Sequence, residues 1–336
     1  ILNGVAVKTT YGKLNSLNNL TGVKSTIISD TYNKPKTESV TTSSAGSAIR
    51  NNVEVYPTTG IFDSSSVPFT GNNTSVAILD SGFDCSHDVF KHQPEVNAFS
   101  MQDISTNLNQ TKAHSLTPSL NLSDVWYSNK IPYAYDYADK DSDVFPYDSE
   151  HGTHVAGIIG GSSDTITGVA INTQLVLMKV FPDLDAGANT DDILLALEDA
   201  VLLGVDAINM SLGSSCGFAR EEDGSKINEV YDRIGQSGIN LITAASNDYS
   251  SSFGGSQGNT NFVTNPDSGT VGSPSTYASA LSVASISGVL SKYLVANDND
   301  IFFFTESNSI TAEKNDFFKE IYERNNWDTS REYTVD

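Results

Sequence analysis

The side chains of this sequence that can do chemistry stand beside short apolar runs. Asp80 directly follows the run SVAIL at 75–79, and His151 opens the segment HGTHVAGIIGG at 151–161. A histidine at the start of a helix can move protons if a carboxylate fixes its tautomer. Asp80 taken alone is more typical of a helix cap or a turn, so its chemical interpretation depends on what the fold places beside it.

Two further polar residues allow a chemical and a structural interpretation. Asn247 ends the segment AASN at 244–247, where its amide could donate to a developing oxyanion or simply suit a left-handed turn. His151 and His154 could both bind a metal, but the HExxH pattern of zinc proteases and an accompanying acidic or cysteine cluster are absent. We expect His154 to be buried and hydrogen-bonded against the core.

Apolar runs along the middle of the chain predict buried parallel strands. The runs are 75–79, 175–181, 205–212, 239–245 and 281–286. Helical patterns lie between them: one is capped by Thr190 and ends before Gly204, and another opens at Ser225 and ends before Gly238. This alternation predicts an α/β fold, a doubly wound and mostly parallel sheet with helices on both faces. In such sheets, ligand-binding and catalytic residues lie at the carboxyl ends of the strands.

Charge and cysteine content limit the partners of the chain. The 336 residues carry a net charge of −22, which repels nucleic-acid phosphates and anionic lipid surfaces. No apolar run reaches about 18 residues, so no membrane span is expected. Residues 1–60 are an exception, with six basic and three acidic side chains, which suggests a leader that docks on an acidic body. Cys85 and Cys216 either pair once or are two small buried residues.

Five segments together resemble the subtilisin-like serine proteases, the subtilases of peptidase family S8. They are VAILDSGFD (76–84), HGTHVAGIIGG (151–161), MKVF (178–181), NMSLGS (209–214) and AASN (244–247). Further segments are similar to segments of the large cell-envelope proteinases of the lactocepin and C5a peptidase type. They comprise KIPYAYDYADKD (130–141), the stretch 191–214, SSFGG (251–255) and the stretch 265–287. The resemblance covers about two thirds of the chain, from about residue 75 to 290.

The resemblance implies a role for each site residue of a serine endopeptidase. Asp80 is the triad aspartate, His151 the triad base and Asn247 the side-chain donor to the oxyanion. Two walls of the substrate cleft are implied, Ser211-Leu212-Gly213 and Ala244-Ala245-Ser246, the first pairing with the peptide as an added strand. Substrates would be proteins or peptides, no cofactor is required for the chemistry, and no metal ligand is assigned. The location implied is secreted or attached to a bacterial-type cell surface or wall.

The nucleophile of the family is missing from the sequence. Subtilases carry it in a Gly-Thr-Ser motif before small residues and Pro, and none of the Gly-x-Ser or Gly-Ser steps here has that context. Either the chain ends before the serine, or the protein is a pseudoprotease that binds peptides without cleaving them. We expect the first, because the other site residues are retained. The 336-residue chain alone should then not hydrolyse peptides by this mechanism.

Two smaller departures concern strain and calcium. Ser246 replaces the glycine of the family's Ala-Ala-Gly-Asn, which adds strain of about 1 kcal/mol or more if this position needs positive φ. Val89 stands where a calcium-binding carboxylate is expected, and the loop 162–168 is short, so a structural calcium ion is left unassigned. Four further carboxylates could bind a hard cation, but we expect them to form a solvated acidic face; they are Asp183, Asp185, Asp191 and Asp192.

The resemblance also divides the chain. Residues 1–36 look like the tail of an inhibitor-type propeptide, the protein's own partner, whose last segment would lie in the cleft. Residues 37–48, rich in Ser and Thr, are the expected linker with the maturation site. Residues 49–290 would then be the N-terminal part of the catalytic domain, and residues 291–336 the start of an inserted protease-associated domain.

Overall fold

Ten short strands and seven helices are seen in the part of the chain that the computed structural model describes. That part comprises residues 4–26, 29, 31–35, 69–164, 166–184, 187–214, 226–247, 271–284, 292–296 and 300–304. The strands are β1 (Thr31–Asn33), β2 (Ser75–Asp80), β3 (Tyr133–Asp136), β4 (Gln174–Lys179), β5 (Gly187–Asn189), β6 (Ala207–Met210), β7 (Asn240–Ala244), β8 (Ala280–Val283), β9 (Lys292–Ala296) and β10 (Asp300–Phe304). The helices are α1 (Leu14–Asn18), α2 (Met101–Leu108), α3 (Lys112–Leu116), α4 (Leu122–Val125), α5 (His151–Gly160), α6 (Thr190–Leu203) and α7 (Lys226–Gln236). Single 3₁₀ turns form at Tyr11–Lys13 and Asp88–Phe90.

The chain forms two compact units. One contains residues 1–40 and 68–284, and the other contains residues 41–67 and 285–336. In the second unit the described residues form one antiparallel hairpin, in which β9 pairs with β10. None of the helices in the described ranges has the length and apolar character to span a bilayer.

Six parallel strands form the central sheet of the first unit, in the order β3-β4-β2-β6-β7-β8. β2 pairs in parallel with β4 on one side and with β6 on the other. After β2 the chain forms β3 and β4 on one side of it, and later adds β6, β7 and β8 on the other side, so the direction of strand addition reverses at β2. In open α/β sheets this reversal is where ligands bind. The predicted α/β fold is confirmed, and each of the five predicted strands is present.

The two faces of the sheet bury different helices. Along β2, Ala77 and Leu79 lie in a cluster that also contains apolar residues of α6 and α7. Ile78, between them, belongs to a second cluster that contains Ala156 of α5. Successive strand residues point to opposite faces, so a strand such as β2, which is apolar from Val76 to Leu79, indicates a sheet covered on both sides.

The ends of α6 follow the sequence closely, with one correction. Asn189, in extended conformation, occupies the cap position, and Thr190, which was expected to be the cap, is the first helical residue. Asp191 and Asp192 lie in the first turn, where the helix dipole favours negative charge. Gly204 ends the helix at φ 79°, a left-handed conformation that glycine adopts without steric cost.

Lys179 ties the end of β4 to the neighbouring strand and loop. Its ammonium donates to Asp136 at 2.6 Å and to Asp183 at 2.5 Å, and it lies 3.8 Å from Asp139. These three carboxylates are close enough to hold a metal ion, but the Lys179 ammonium already supplies their positive charge. Burial lowers the pKa of Lys179, but the hydrogen bonds and charges of Asp136 and Asp183 outweigh it and raise the pKa above its ordinary value.

Replacing Lys179 with methionine is expected to lower the free energy of unfolding by about 3–5 kcal/mol, because Asp136 would keep a buried charge without a partner. Denaturant unfolding of the 336-residue chain measures the loss. Lys91→Met is the matched control, since the Lys91–Asp88 pair is 73% and 78% exposed, and should lower the free energy of unfolding far less, because solvent screens an exposed pair. Adding Asp136→Asn to Lys179→Met should recover part of the loss. Equal losses of unfolding free energy in Lys179→Met and Lys91→Met would contradict the stabilising role of the buried Lys179–Asp136 pair.

Candidate active site

Asp80 and His151 form a hydrogen-bonded pair at the carboxyl end of β2. Nδ1 of His151 lies 2.8 Å from Oδ1 of Asp80, which also accepts from the backbone N–H of Ser81 at 2.7 Å. The Asp80 side chain is fully buried, whereas that of His151 is 19% exposed. A carboxylate can only accept, so Nδ1 carries the proton and Nε2 is left as the basic nitrogen. The pair that the sequence could not establish is therefore present.

Asp80 raises the basicity of His151. Burial lowers the pKa of the imidazole, but the hydrogen bond and the negative charge of Asp80 together raise it above its ordinary value. An imidazole with a raised pKa is a stronger base, and a carboxylate on Nδ1 stabilises the imidazolium that forms when Nε2 takes a proton.

Ser81 and Gly152 hold the start of α5 against the end of β2. The hydroxyl of Ser81 donates to the carbonyl of Ser149 at 3.0 Å and accepts from the backbone N–H of Gly152 at 3.3 Å. A Cβ atom at position 152 would collide with the carbonyl oxygen of Gly82, so only glycine permits this approach. The positioning roles of Ser81 and Gly152 are not evident from the sequence, although both residues lie inside the Asp80 and His151 motifs.

The other site residues follow the two neighbouring strands. Ser211-Leu212-Gly213 continues from the end of β6, and Ala245-Ser246-Asn247 continues from the end of β7. Since β2, β6 and β7 are adjacent and parallel, these segments and Asp80 share one edge of the sheet. The sequence predicts that these residues follow the carboxyl ends of parallel strands, and the structure adds the order of those strands in the sheet.

The two expected cleft walls are joined through the segment 271–275. Ser214 and Ser273 exchange backbone hydrogen bonds of 2.9 and 3.1 Å, and Gly272 donates to the carbonyl of Ala245 at 2.7 Å. Leu212 is 4% exposed and belongs to the core, so its side chain is not available to a peptide. Asn247 is exposed.

Ser246 has a φ of 139°, a value that side-chain-bearing residues rarely adopt. This position therefore has the positive φ that suits glycine, and a serine where the family has glycine carries strain of about 1 kcal/mol or more. Strained backbone of this kind is common beside active sites.

The expectation that His154 is buried is wrong, because its side chain is exposed. The buried positions of α5 include Gly152, Ala156 and Gly160, which recur every four residues and define its inner face. A residue two positions away from them lies on the opposite side of the helix. His154 therefore stands away from both the core and Asp80.

Cys85 is a free thiol, half-buried, and burial raises its pKa to about 12. Cys216, with which Cys85 would pair if the two form a disulfide, lies outside the described residues. Asp185, one of the four carboxylates expected on the acidic face, also lies outside them. A thiol with so high a pKa remains protonated at neutral pH and is a poor nucleophile.

A comparison with models of protein families decides where the chain belongs. The model of the subtilase family, peptidase family S8, matches residues 71–328, which include Asp80, His151 and Asn247. The chain belongs to the subtilase family.

Relatives of this subtilase are proteases of much greater length. The PIII-type proteinase of Lactococcus lactis subsp. cremoris is 28% identical over 295 residues, 85% of this chain and 14% of that protein. The C5a peptidase of Streptococcus pyogenes serotype M6 is 34% identical over 227 residues, 65% of this chain and 18% of that protein. These relatives confirm the resemblance to the lactocepin and C5a peptidase type and support a protease function. The chain spans less than a fifth of either protein.

A solved structure is similar to this chain at lower sequence identity. The prenylagaramide maturation protease PagA is 20% identical, with a TM-score of 0.39, and the match covers 63% of this subtilase and 53% of that chain.

The segment 161–173, between α5 and β4, is held by hydrogen bonds with other parts of the subtilase chain. The carbonyl of Val89 accepts from the backbone N–H of Ser162 at 2.7 Å. The buried ammonium of Lys130 donates to the carbonyls of Ile171 and Thr173 at 2.8 and 2.7 Å. Burial lowers the pKa of Lys130 to about 7. Two carbonyl oxygens of the segment between α5 and β4 are therefore bound by a lysine side chain.

The leader lies on the subtilase unit as a short strand. β1 pairs antiparallel with β5, with Tyr32 opposite Ala188. Tyr32 is 3% exposed and lies in the core cluster, and the carbonyl of Pro35 accepts from the hydroxyl of Ser149 at 2.8 Å. The basic charge of the leader suggests that it docks on the acidic body, and the structure identifies β5 as the strand with which it pairs.

Proposed function

We propose that the protein containing this chain is a serine-type endopeptidase in which Asp80 and His151 act with a serine hydroxyl. The observation that carries the proposal is the 2.8 Å hydrogen bond between the two side chains, placed where the strand order of the sheet reverses. Membership of the subtilase family and the protease relatives support the same chemistry.

The proposed reaction uses His151 as base and then as acid. Nε2 takes the proton of the serine hydroxyl as the oxygen attacks the scissile carbonyl, and returns it to the leaving amine as the peptide C–N bond breaks. Water then hydrolyses the acyl-enzyme by the same proton relay. Asp80 holds the tautomer throughout. The amide of Asn247 and a backbone N–H would stabilise the oxyanion.

The serine is proposed to lie beyond residue 336. Within the sequence, no Gly-x-Ser or Gly-Ser step has the context of the family motif, and the matched region is only 14% and 18% of the length of the two relatives. By this proposal the 336-residue chain alone does not turn over peptides. The alternative, a pseudoprotease that binds peptides, predicts that the serine is absent from the complete protein.

Residues 1–36 are proposed to be the tail of an inhibitory propeptide, with maturation cleavage between about residues 35 and 48. Two observations support this assignment: β1 lies along β5, and the hydroxyl of Ser149, two residues before His151, donates to Pro35. A strand added at the edge of a site blocks the same edge to a peptide substrate. Residues 49–290 would be catalytic and residues 291–336 the start of an insertion.

The proposed substrates are extracellular proteins, and the proposed location is secreted or attached to the cell surface. The chemistry requires no cofactor, because the proton relay and the oxyanion donors are supplied by side chains and backbone. Net charge makes nucleic acid an unfavourable partner.

Labelling with a fluorophosphonate tests the proposal. The complete protein, after removal of its leader, should react covalently at one serine, and should cleave a protein substrate equally well with and without a chelator. The 336-residue chain should not be labelled. A complete protein that binds peptides but shows neither labelling nor a Gly-Thr-Ser motif would be a pseudoprotease. Loss of activity on chelation, without labelling, would instead favour metal-dependent hydrolysis.

A further inference from the structure

The side chain of Lys34 is bound on two sides by the body of the chain. Its ammonium donates to a carboxylate oxygen of Asp148 and to the carbonyl of Pro182, at 2.8 Å each. The Lys34 side chain is 9% exposed, whereas that of Lys91, in a surface ion pair, is 73% exposed. Lys34 has therefore exchanged much of its hydration for two fixed acceptors, one of them charged.

This contact lies close to the catalytic histidine. Asp148 precedes His151 by three residues on the same segment, and Ser149, between them, holds the carbonyl of Pro35. Pro35 directly follows Lys34, and Tyr32, two residues before Lys34, is buried beside β5. The leader thus places an aromatic and a basic side chain in separate sites as it runs toward the catalytic pair.

We infer that Asp148 and the carbonyl of Pro182 form a subsite that selects a basic side chain in peptide substrates, at the position that the leader fills with Lys34. The inference rests on the proposed function, because a substrate must replace the leader along β5. A basic side chain satisfies both acceptors, whereas an apolar side chain of similar length leaves them without a donor, and sites built in this way discriminate strongly. Asp148 is 55% exposed, which limits the selection to about tenfold because solvent screens the charge.

Cleavage of matched peptides by the complete, mature protein measures the selection. The parent peptide is an internally quenched peptide with the sequence of residues 29–42, and its variants carry Lys34→Met or Lys36→Met. Both variants lose one positive charge, so general attraction to an acidic protein affects them alike. The Lys34→Met peptide is expected to lose about tenfold in kcat/KM and the Lys36→Met peptide less than about threefold. In Asp148→Asn enzyme the parent and Lys34→Met peptides should be cleaved at similar rates.

The same contact can be measured without catalysis in the 336-residue chain. Lys34→Met and Asp148→Asn should each speed hydrogen exchange of the amides in β1 about tenfold, and the double variant should add little, since both remove one interaction. Lys91→Met should leave this exchange unchanged. Faster exchange without cleavage of any peptide would support the basic subsite and contradict the proposed function. Equal losses for the two peptides, or unchanged exchange in both variants, would overturn the subsite.

Discussion

Replacing His151 with alanine in the complete, mature protein is expected to lower kcat by about 10⁶-fold, the loss typical of a triad member that carries the proton. Without the imidazole, nothing beside the serine can take its proton at neutral pH, so the acyl-enzyme does not form. Stopped-flow measurement of the acylation burst, together with steady-state kcat, checks this outcome. The burst should vanish, while KM for a peptide substrate changes much less than kcat.

His154→Ala is the matched control for this substitution. It removes the same side chain from the same helix, but at an exposed position away from Asp80, and should leave kcat within about twofold because surface substitutions rarely perturb the fold. Unfolding of both variants should be cooperative and close to that of the parent. Retained turnover in His151→Ala, or an equal loss in His154→Ala, would contradict the role assigned to His151.

Asp80 and His151 could be predicted because the sequence encodes strand ends and helix starts directly. A run of apolar residues that stops at Asp80 marks the carboxyl end of a buried strand, and parallel strands bring their carboxyl ends to one edge. The resemblance to the subtilases then selected these two residues from other interpretations. What the sequence lacked was the distance between them, which depends on Ser81 holding the first turn of α5.

The exposed side of α5 explains why the prediction for His154 is wrong. Gly152 and Ala156 are small and carry little hydrophobic signal, so the inner face of the helix does not stand out as an apolar stripe. The spacing of its small residues was the usable signal, since small residues let a helix approach a sheet closely. The four-residue interval between Gly152, Ala156 and Gly160 identifies the buried face.

The pairing of β1 with β5 could not be predicted from local patterns. Each strand has three residues, too few to show a period of two, and the partners are far apart along the chain. Only charge gave an indication, because a basic leader precedes an acidic body. The hydrogen bond from Lys34 to Asp148 is one contact between the basic leader and the acidic body.

Replacing Asp80 with asparagine is expected to lower kcat by about 10⁴-fold while leaving the substrate cleft intact. An amide in place of the carboxylate can donate to Nδ1, which favours the tautomer with the proton on Nε2, and that nitrogen can then no longer accept from the serine. The imidazolium also loses the negative charge that stabilises it. Steady-state kinetics of the complete, mature protein gives the loss, and Asp88→Asn, an exposed carboxylate in a surface ion pair, is the control.

The pH profile separates this chemical role from a merely structural one. In the parent enzyme kcat/KM should rise with pH as His151 loses its proton, with a midpoint above the ordinary histidine pKa of about 6.5, because Asp80 raises that pKa. Asp80→Asn removes the cause of the increase and leaves burial, which lowers the pKa. The residual activity should therefore reach its plateau at lower pH than in the parent. A variant with reduced kcat but an unmoved midpoint would show that Asp80 only supports the fold, since the charge that sets the basicity of His151 would then come from elsewhere.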